Sequence, residues 1–310
     1  MRIAVFGTGG VGGYFGGKLA HAGEDVTFIA RGQHLRAIQQ TGLRIDSLEG
    51  DFVVFPAKGT NDVYQVGPVD LVIVGVKAWQ VPEAAREMKP IVGTKTTVLP
   101  LQNGVDAVAQ LVEVLGAEQV VGGLCKIVSF VVAPGHIRHA GFKPSVVIGE
   151  LDDRRTDRIE AIEAVFNHAG IDTTIADNIH AALWMKFLFI ASFSGVGAVA
   201  NAPAGKLRSD PELRGQMLRA MEEIYALAHA RGIKLPQNAI ETAMAGVEAL
   251  PEDATSSMQR DIVASKPSEL ESQNGAVVRM ARESGIEVPT HEFIYHTLKP
   301  LEDRARGVRR

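Results

Sequence analysis

Short apolar runs alternating with longer amphipathic stretches set the rhythm of the first half of the chain. Arg2 to Phe6 is a run ended by glycine, which predicts a strand buried on both faces, and Val11 to Ala22 predicts a helix with closely packed glycines. Asp25 to Ala30 predicts a second such strand and His34 to Gln40 a short helix, so the opening is strand, helix, strand. Leu43 to Asp46 and Phe52 to Phe55 flank the turn Glu49-Gly50-Asp51, which predicts a hairpin inserted before the sheet resumes. Leu71 to Val76 and Thr97 to Leu101 are further parallel-strand patterns, each followed by a helical stretch, Pro82 to Met88 and Asp106 to Leu115. Such alternation predicts a doubly wound sheet with right-handed crossovers.

After Gly116 the pattern turns strand-rich: Val120 to Val132, His136 to His139 and Ser145 to Ile148, with Pro134-Gly135 as a turn. A helix from about Arg155 to His168 and a strand from Ile171 to Ile175 close this half. From Asp177-Asn178 onward only helical patterns appear: Ile179 to about Gly195, Pro211 to Ala230, Gln237 to Ala249, Asn274 to Glu283 and a tail from His291. The expectation is therefore an α/β chain, with an N-terminal Rossmann-like doubly wound domain over residues 1–176 and an all-helical domain over 177–310.

Composition narrows the function classes. At 310 residues, with 46% hydrophobic and 22% charged residues, two ordinary globular domains are expected. A net charge of −4 leaves no basic footprint for nucleic acid. One cysteine, Cys125, excludes an internal disulfide and cannot form a structural zinc site by itself, which fits a reducing cytoplasm. The first residues lack the regions of a signal peptide. Ala181 to Ala200 approaches membrane length but carries Lys186, Ser192 and Ser194, and a charge at mid-span costs roughly 2.5 to 3.5 kcal/mol, so a buried helix is expected instead. No metal site is expected, and a helical second half leaves self-association open.

Gly7-Thr8-Gly9-Gly10-Val11-Gly12 is GxGxxG directly after a strand and opening a helix. The first glycine permits a tight turn, the second lets backbone approach a pyrophosphate, and the third lets helix pack on strand. At the end of the second strand, where an acid would meet the ribose of NAD, the chain has Ala30-Arg31-Gly32, and a guanidinium fits a 2′-phosphate; NADP(H) is expected, unless Arg31 merely lies on a solvated loop. Lys77-Ala78-Trp79-Gln80 and Asn103-Gly104 follow the next two strands, where ligands bind in open α/β sheets. Taken singly they read as a solvated helix start, a core tryptophan and a turn.

Lys186 sits in the apolar stretch Ala181 to Ile190, where lysine is rarely found unless paired, functional or snorkelling to solvent. An ammonium there can polarise a ketone and deliver a proton. Ser256-Ser257-Met258 and Lys266-Pro267-Ser268-Glu269 bring polar residues into helical surroundings, which caps and solvated charges would also explain.

Together these segments make the chain resemble the ketopantoate (2-dehydropantoate) 2-reductase family, from the N-terminal GxGxxG through Lys77 to Gln80, Trp184 to Lys186 and Ser256 to Glu269. The resemblance implies NADPH-dependent reduction of a 2-oxo acid in pantothenate synthesis, at a cleft between two domains. It implies that Gly7 to Gly12, Arg31, Lys77, Gln80 and Asn103 bind cofactor, that Asn103 also faces substrate, and that Lys186 donates the proton. Ser257 would hold the substrate carboxylate, Ser194 would lie on the substrate face, and Glu269 would anchor the nicotinamide ribose and the lysine's hydrogen-bond network. The family commonly has asparagine where this chain has Ile190, Ser194, Ala204 and Ala254. Lys186, Ile190 and Ser194 share one helix face, so a less polar 2-oxo acid is the alternative substrate, and a non-catalytic NADPH-binding regulator the alternative of another class.

Overall fold

The computed structural model describes residues 1–308, and the chain divides into two compact units, one of residues 1–102 and 107–179, the other of 103–106 and 180 onward. Residues 103–106 thus pack with the second unit, an excursion that a single boundary near residue 176 does not contain.

The first unit opens with β1 (Arg2–Phe6), α1 (Gly10–His21), β2 (Asp25–Ile29) and α2 (Gly32–Thr41). The hairpin β3 (Leu43–Asp46) and β4 (Phe52–Val54) follows, then β5 (Lys58–Thr60), β6 (Leu71–Val74), α3 (Val81–Glu87), β7 (Thr97–Pro100) and α4 (Asp106–Leu115). It closes with the long strands β8 (Gly122–Ala133) and β9 (His136–Gly149), α5 (Asp157–His168) and β10 (Asp172–Ile175). A parallel sheet runs in the order β5-β2-β1-β6-β7, with Phe6 opposite both Ile29 and Val74. Period-two alternation gives it two apolar faces: Ile3 and Val5 pack with α1 and α5, Ala4 and Phe6 with α3 and α4.

The strands after Gly116 do not extend that sheet. They form a second one, in the order β10-β9-β3-β4 with β8 against β9, and the β3–β4 hairpin joins this sheet as well. Helix α1 packs against strands of both sheets, which is why it is glycine-rich: a Cβ on Gly16 would fall 2.4 Å from Val5 on one side, and one on Gly17 2.2 Å from Ile45 on the other.

Three further differences from the sequence pattern have local causes. The edge strand β5, Lys58-Gly59-Thr60, carries no apolar alternation and pairs only with β2. Strand β9 is continuous where the pattern predicted two strands, His136 to His139 and Ser145 to Ile148, because its pairing with β8 jumps from Ser145–Lys126 to Ala140–Val128 and leaves Gly141 and Pro144 in a bulge that asks nothing of the missing proline N–H. Two short helices of the second unit, α7 (Ala204–Ser209) and α10 (Ser257–Val263), each span under two turns and show no helical period of their own.

The second unit is otherwise helical: α6 (Ile179–Ala200, its first residue in the sheet unit), then α7, α8 (Pro211–Ala230), α9 (Ala239–Glu248), α10, α11 (Asn274–Ser284) and α12 (Pro289–Ala305). Helix α6 is long and apolar enough to cross a membrane by composition alone, yet 67% of its most apolar window is buried inside the protein. Trp184, Phe187, Leu188 and Ala191 pack there with Met221 and Ile224 of α8 and Val277 of α11.

Candidate functional site

In the sheet unit, the expected cofactor residues fall at the C-terminal ends of neighbouring parallel strands. Gly7 ends β1 with φ +98°, a left-handed conformation that any side chain would strain, and a Cβ there would also sit 2.6 Å from the Val76 backbone. A Cβ on Gly12 would meet the Gly7 carbonyl at 2.3 Å, so the third glycine allows helix and strand to close on each other. Gly9, the N-cap of α1, is different: its missing Cβ would meet nothing nearer than 4.0 Å, so the backbone there stands open to an incoming group. Helix α1 has no acidic residue in its first turn, which leaves the positive end of its dipole uncompensated by its own side chains. These are the features a pyrophosphate needs, and the loop fits NADP(H). Gly10 approaches β8 so closely that a Cβ would lie 2.4 Å from the Ser129 carbonyl, so the second sheet braces the loop. Thr8 is buried, its hydroxyl donating to the Ile29 carbonyl at 3.1 Å, and Val11 is half-buried behind it.

Arg31 is the N-cap of α2 at the end of β2. Its guanidinium is not loose on the loop: one terminal nitrogen donates to both oxygens of Glu87, at 2.8 and 2.7 Å. At the end of β6, Lys77 is exposed, its Nζ 5.7 Å from the centre of the half-buried Trp79 ring, and its N–H donates to Gln80 Oε1 at 3.2 Å. Gln102 donates to the Val74 and Val76 carbonyls and so holds the strand ends of β6 and β7 in register.

The helical unit collects the other candidates. Asn103 donates through Nδ2 to Glu269 Oε2 at 3.3 Å, joining residues 166 positions apart. The Asn103 loop is fastened beside this contact by Arg279, which donates to Asp106 at 2.5 Å, and by Gly104, φ +93°, where a Cβ would lie 2.5 Å from the Ser272 carbonyl. Burial pushes the Asp106 carboxyl above its ordinary value against the pull of Arg279. Glu269 is itself buried, and its neighbour Ser268 is clamped: Glu302 accepts from the Ser268 N–H and hydroxyl, while Arg306 binds both Glu302 and the Ser268 carbonyl.

Lys186 is half-buried on α6, with Ile190 half-buried one turn later and outside the apolar core of the unit. Ser194 lies another turn on but is fully buried, its hydroxyl without a hydrogen-bond partner among the described residues. Ser257 is half-buried at the first turn of α10, behind the cap Ser256, whose hydroxyl accepts from the Gln259 N–H at 3.0 Å. Ala204 and Ala254 face each other through a backbone hydrogen bond of 2.9 Å, and Asn201 is exposed at the end of α6. Among the described residues no three His, Cys, Asp or Glu side chains gather as metal ligands would. The contributions of Glu87, Asp106, Arg279 and Glu302 were not foreseen, because each acts through a partner distant in sequence and none belongs to a motif.

Comparison with known proteins identifies the family and the fold. Residues 3–153 match the family model of the ketopantoate reductase PanE/ApbA, and residues 178–302 match its C-terminal counterpart. A 2-dehydropantoate 2-reductase of Nostoc sp. is 31% identical over 98% of this chain and 96% of its own length. The crystal structure of a PanE/ApbA family ketopantoate reductase from Ralstonia eutropha JMP134 superposes with a TM-score of 0.90 at 33% identity, covering 99% of this chain and 100% of its own. D-mandelate dehydrogenase, solved with NADH and anilino(oxo)acetate, shares the fold at a TM-score of 0.90 and 21% identity, over 99% and 100% of the two chains.

Proposed function

Since the chain belongs to the ketopantoate reductase family of NADP-dependent oxidoreductases, we propose that it reduces 2-dehydropantoate to pantoate, in the cytoplasm and as a step of pantothenate synthesis. The observation that carries the reading is the Asn103–Glu269 contact, which draws the loop after β7 onto a buried carboxylate in the unit that also bears Lys186. NADP(H), when bound, supplies the hydride that reduces the ketone. Gly7 to Gly12 cradle its pyrophosphate, Arg31 and Lys77 meet its anionic groups, and Gln80 holds the Lys77 segment in shape. Glu269 anchors the nicotinamide ribose and orients Asn103.

Lys186 holds its proton against the carbonyl oxygen of the substrate, first polarising the bond and then giving up the proton as the oxygen becomes a hydroxyl. Ser257 and Asn103 donate to the substrate carboxylate and carbonyl. Ser194, closed from solvent, is the one expected substrate contact that the geometry does not favour, and it takes no direct part here.

A second reading has its own support. Ile190, half-exposed one turn from Lys186, offers an apolar surface where the terminal hydroxyl of ketopantoate would want a partner, and each unmatched buried oxygen costs roughly 1 to 3 kcal/mol. The alternative is a less polar 2-oxo acid. NADPH oxidation measured against ketopantoate and a panel of 2-oxo acids lacking its hydroxyl, with the reduced product identified, separates the two. We expect ketopantoate turnover with a raised KM, improved by Ile190→Asn. A tenfold or greater kcat/KM in favour of the hydroxyl-free acids would replace ketopantoate while leaving the reductase in place.

A further inference from the structure

We propose that Glu87 tunes how strongly the chain prefers NADPH to NADH, by occupying the guanidinium that the cofactor's 2′-phosphate needs. The inference rests on the reading of Arg31 as the partner of that phosphate. Arg31 caps α2 from an extended backbone, φ −133° and ψ 161°, and its side chain lies across to the last residue of α3, where one terminal nitrogen serves both carboxylate oxygens at 2.7 and 2.8 Å. The arginine side chain is largely exposed, so it has space to turn.

A guanidinium grips a phosphate best through two nitrogens at once, and one of the terminal pair is already committed to Glu87. The 2′-phosphate must therefore displace the carboxylate or lie beside it. Displacement loses an ion pair, and coexistence sets an anion against an anion. Either way the penalty falls on NADPH alone, because NADH carries only a hydroxyl at that position. The pair is open to solvent, with 69% of the arginine side chain and 37% of the glutamate exposed, so it is a weak ion pair and yields to a dianion. Glu87 also ends α3, where the helix dipole disfavours an acid, and Arg31 is the cation that offsets it. Glu87 thus moderates the preference without reversing it.

The test is calorimetric titration of the full chain at fixed ionic strength with NADPH, NADH and 2′,5′-ADP, for the parent protein, Glu87→Gln, Arg31→Ala and the double variant. Glu87→Gln should tighten NADPH and 2′,5′-ADP by roughly two- to fivefold, the scale of an exposed ion pair, with NADH unmoved. In the Arg31→Ala background the same change should do nothing. The proposal is overturned if Glu87→Gln leaves NADPH unchanged or weaker, tightens NADH equally, or acts without Arg31. Should Arg31→Ala weaken NADPH selectively while Glu87→Gln has no effect, the arginine reading stands and the role of Glu87 fails. Should Arg31→Ala leave NADPH untouched, the arginine reading fails and the proposal with it.

Discussion

The two units present chemistry in opposite ways. The candidate site of the sheet unit is mainly backbone: its loop at Gly7 to Gly12 is defined by where side chains are absent, and Arg31 and Lys77 follow the strands on either side of it. The candidates of the helical unit are side chains from scattered places, since Lys186 rides on α6, Ser257 opens α10, Glu269 lies between helices, and Asn103 comes from a loop that interrupts the sheet unit. A backbone site needs only a regular frame. A side-chain site needs every member held by something else, here Glu302 and Arg306 under Ser268, and Arg279 on Asp106.

The comparison is sharpened most by Lys186→Ala. It should lower turnover at least about 100-fold, as loss of a general acid does, while NADPH binding followed by fluorescence titration stays within a factor of two or so. Lys186→Arg should not rescue, because a guanidinium keeps its proton. Near-normal turnover in Lys186→Ala would move the chemistry out of the helical unit. Next in size, Arg31→Asp should cost NADPH about 2 to 4 kcal/mol of binding and spare NADH, read as the ratio of their KM values; a parent protein with equal KM for both cofactors would break the assignment at the outset.

Gly12→Ala tests the backbone side directly. Its Cβ would lie 2.3 Å from the Gly7 carbonyl, and forced repacking of this kind costs about 1 to 3 kcal/mol, so both cofactors should bind more weakly and alike. Unchanged affinity would mean that the loop is less rigid than its packing. The smallest effect concerns pH. Burial alone would raise Glu150 in the sheet unit, but Arg158 and Thr156 hold it below its ordinary value; His291 and Thr290 do the same for the half-buried Glu223 in the helical unit. Lowered carboxylates stabilise the fold above their unfolded value, near 4.5, and lose that contribution as pH falls through the lower folded one. Thermal melts from pH 5 to 3 should fall in both units, and Glu223→Gln should flatten the fall in one of them; an unchanged slope would remove Glu223 from the account.

By itself the sequence determined most of the frame. Short apolar runs marked β1, β2, β6 and β7, because a strand buried on both faces cannot hide its composition, and the spacing at Gly7 to Gly12 named the nucleotide loop because only glycine meets its steric demands. Helix α8 was legible from Pro211 to Ala230, and the structure adds Asp210 as its cap. Tertiary structure decided the rest. It put β3, β4, β8, β9 and β10 into a second sheet, since strand partners are chosen by long-range pairing that periodicity does not encode. It gave β9 its continuity through a bulge, buried Ser194, and brought Asn103 to Glu269 and Arg31 to Glu87. Those contacts join residues far apart in the chain through one or two hydrogen bonds each, and so small an interaction is fixed only once the packed apolar core has set the distance between its partners.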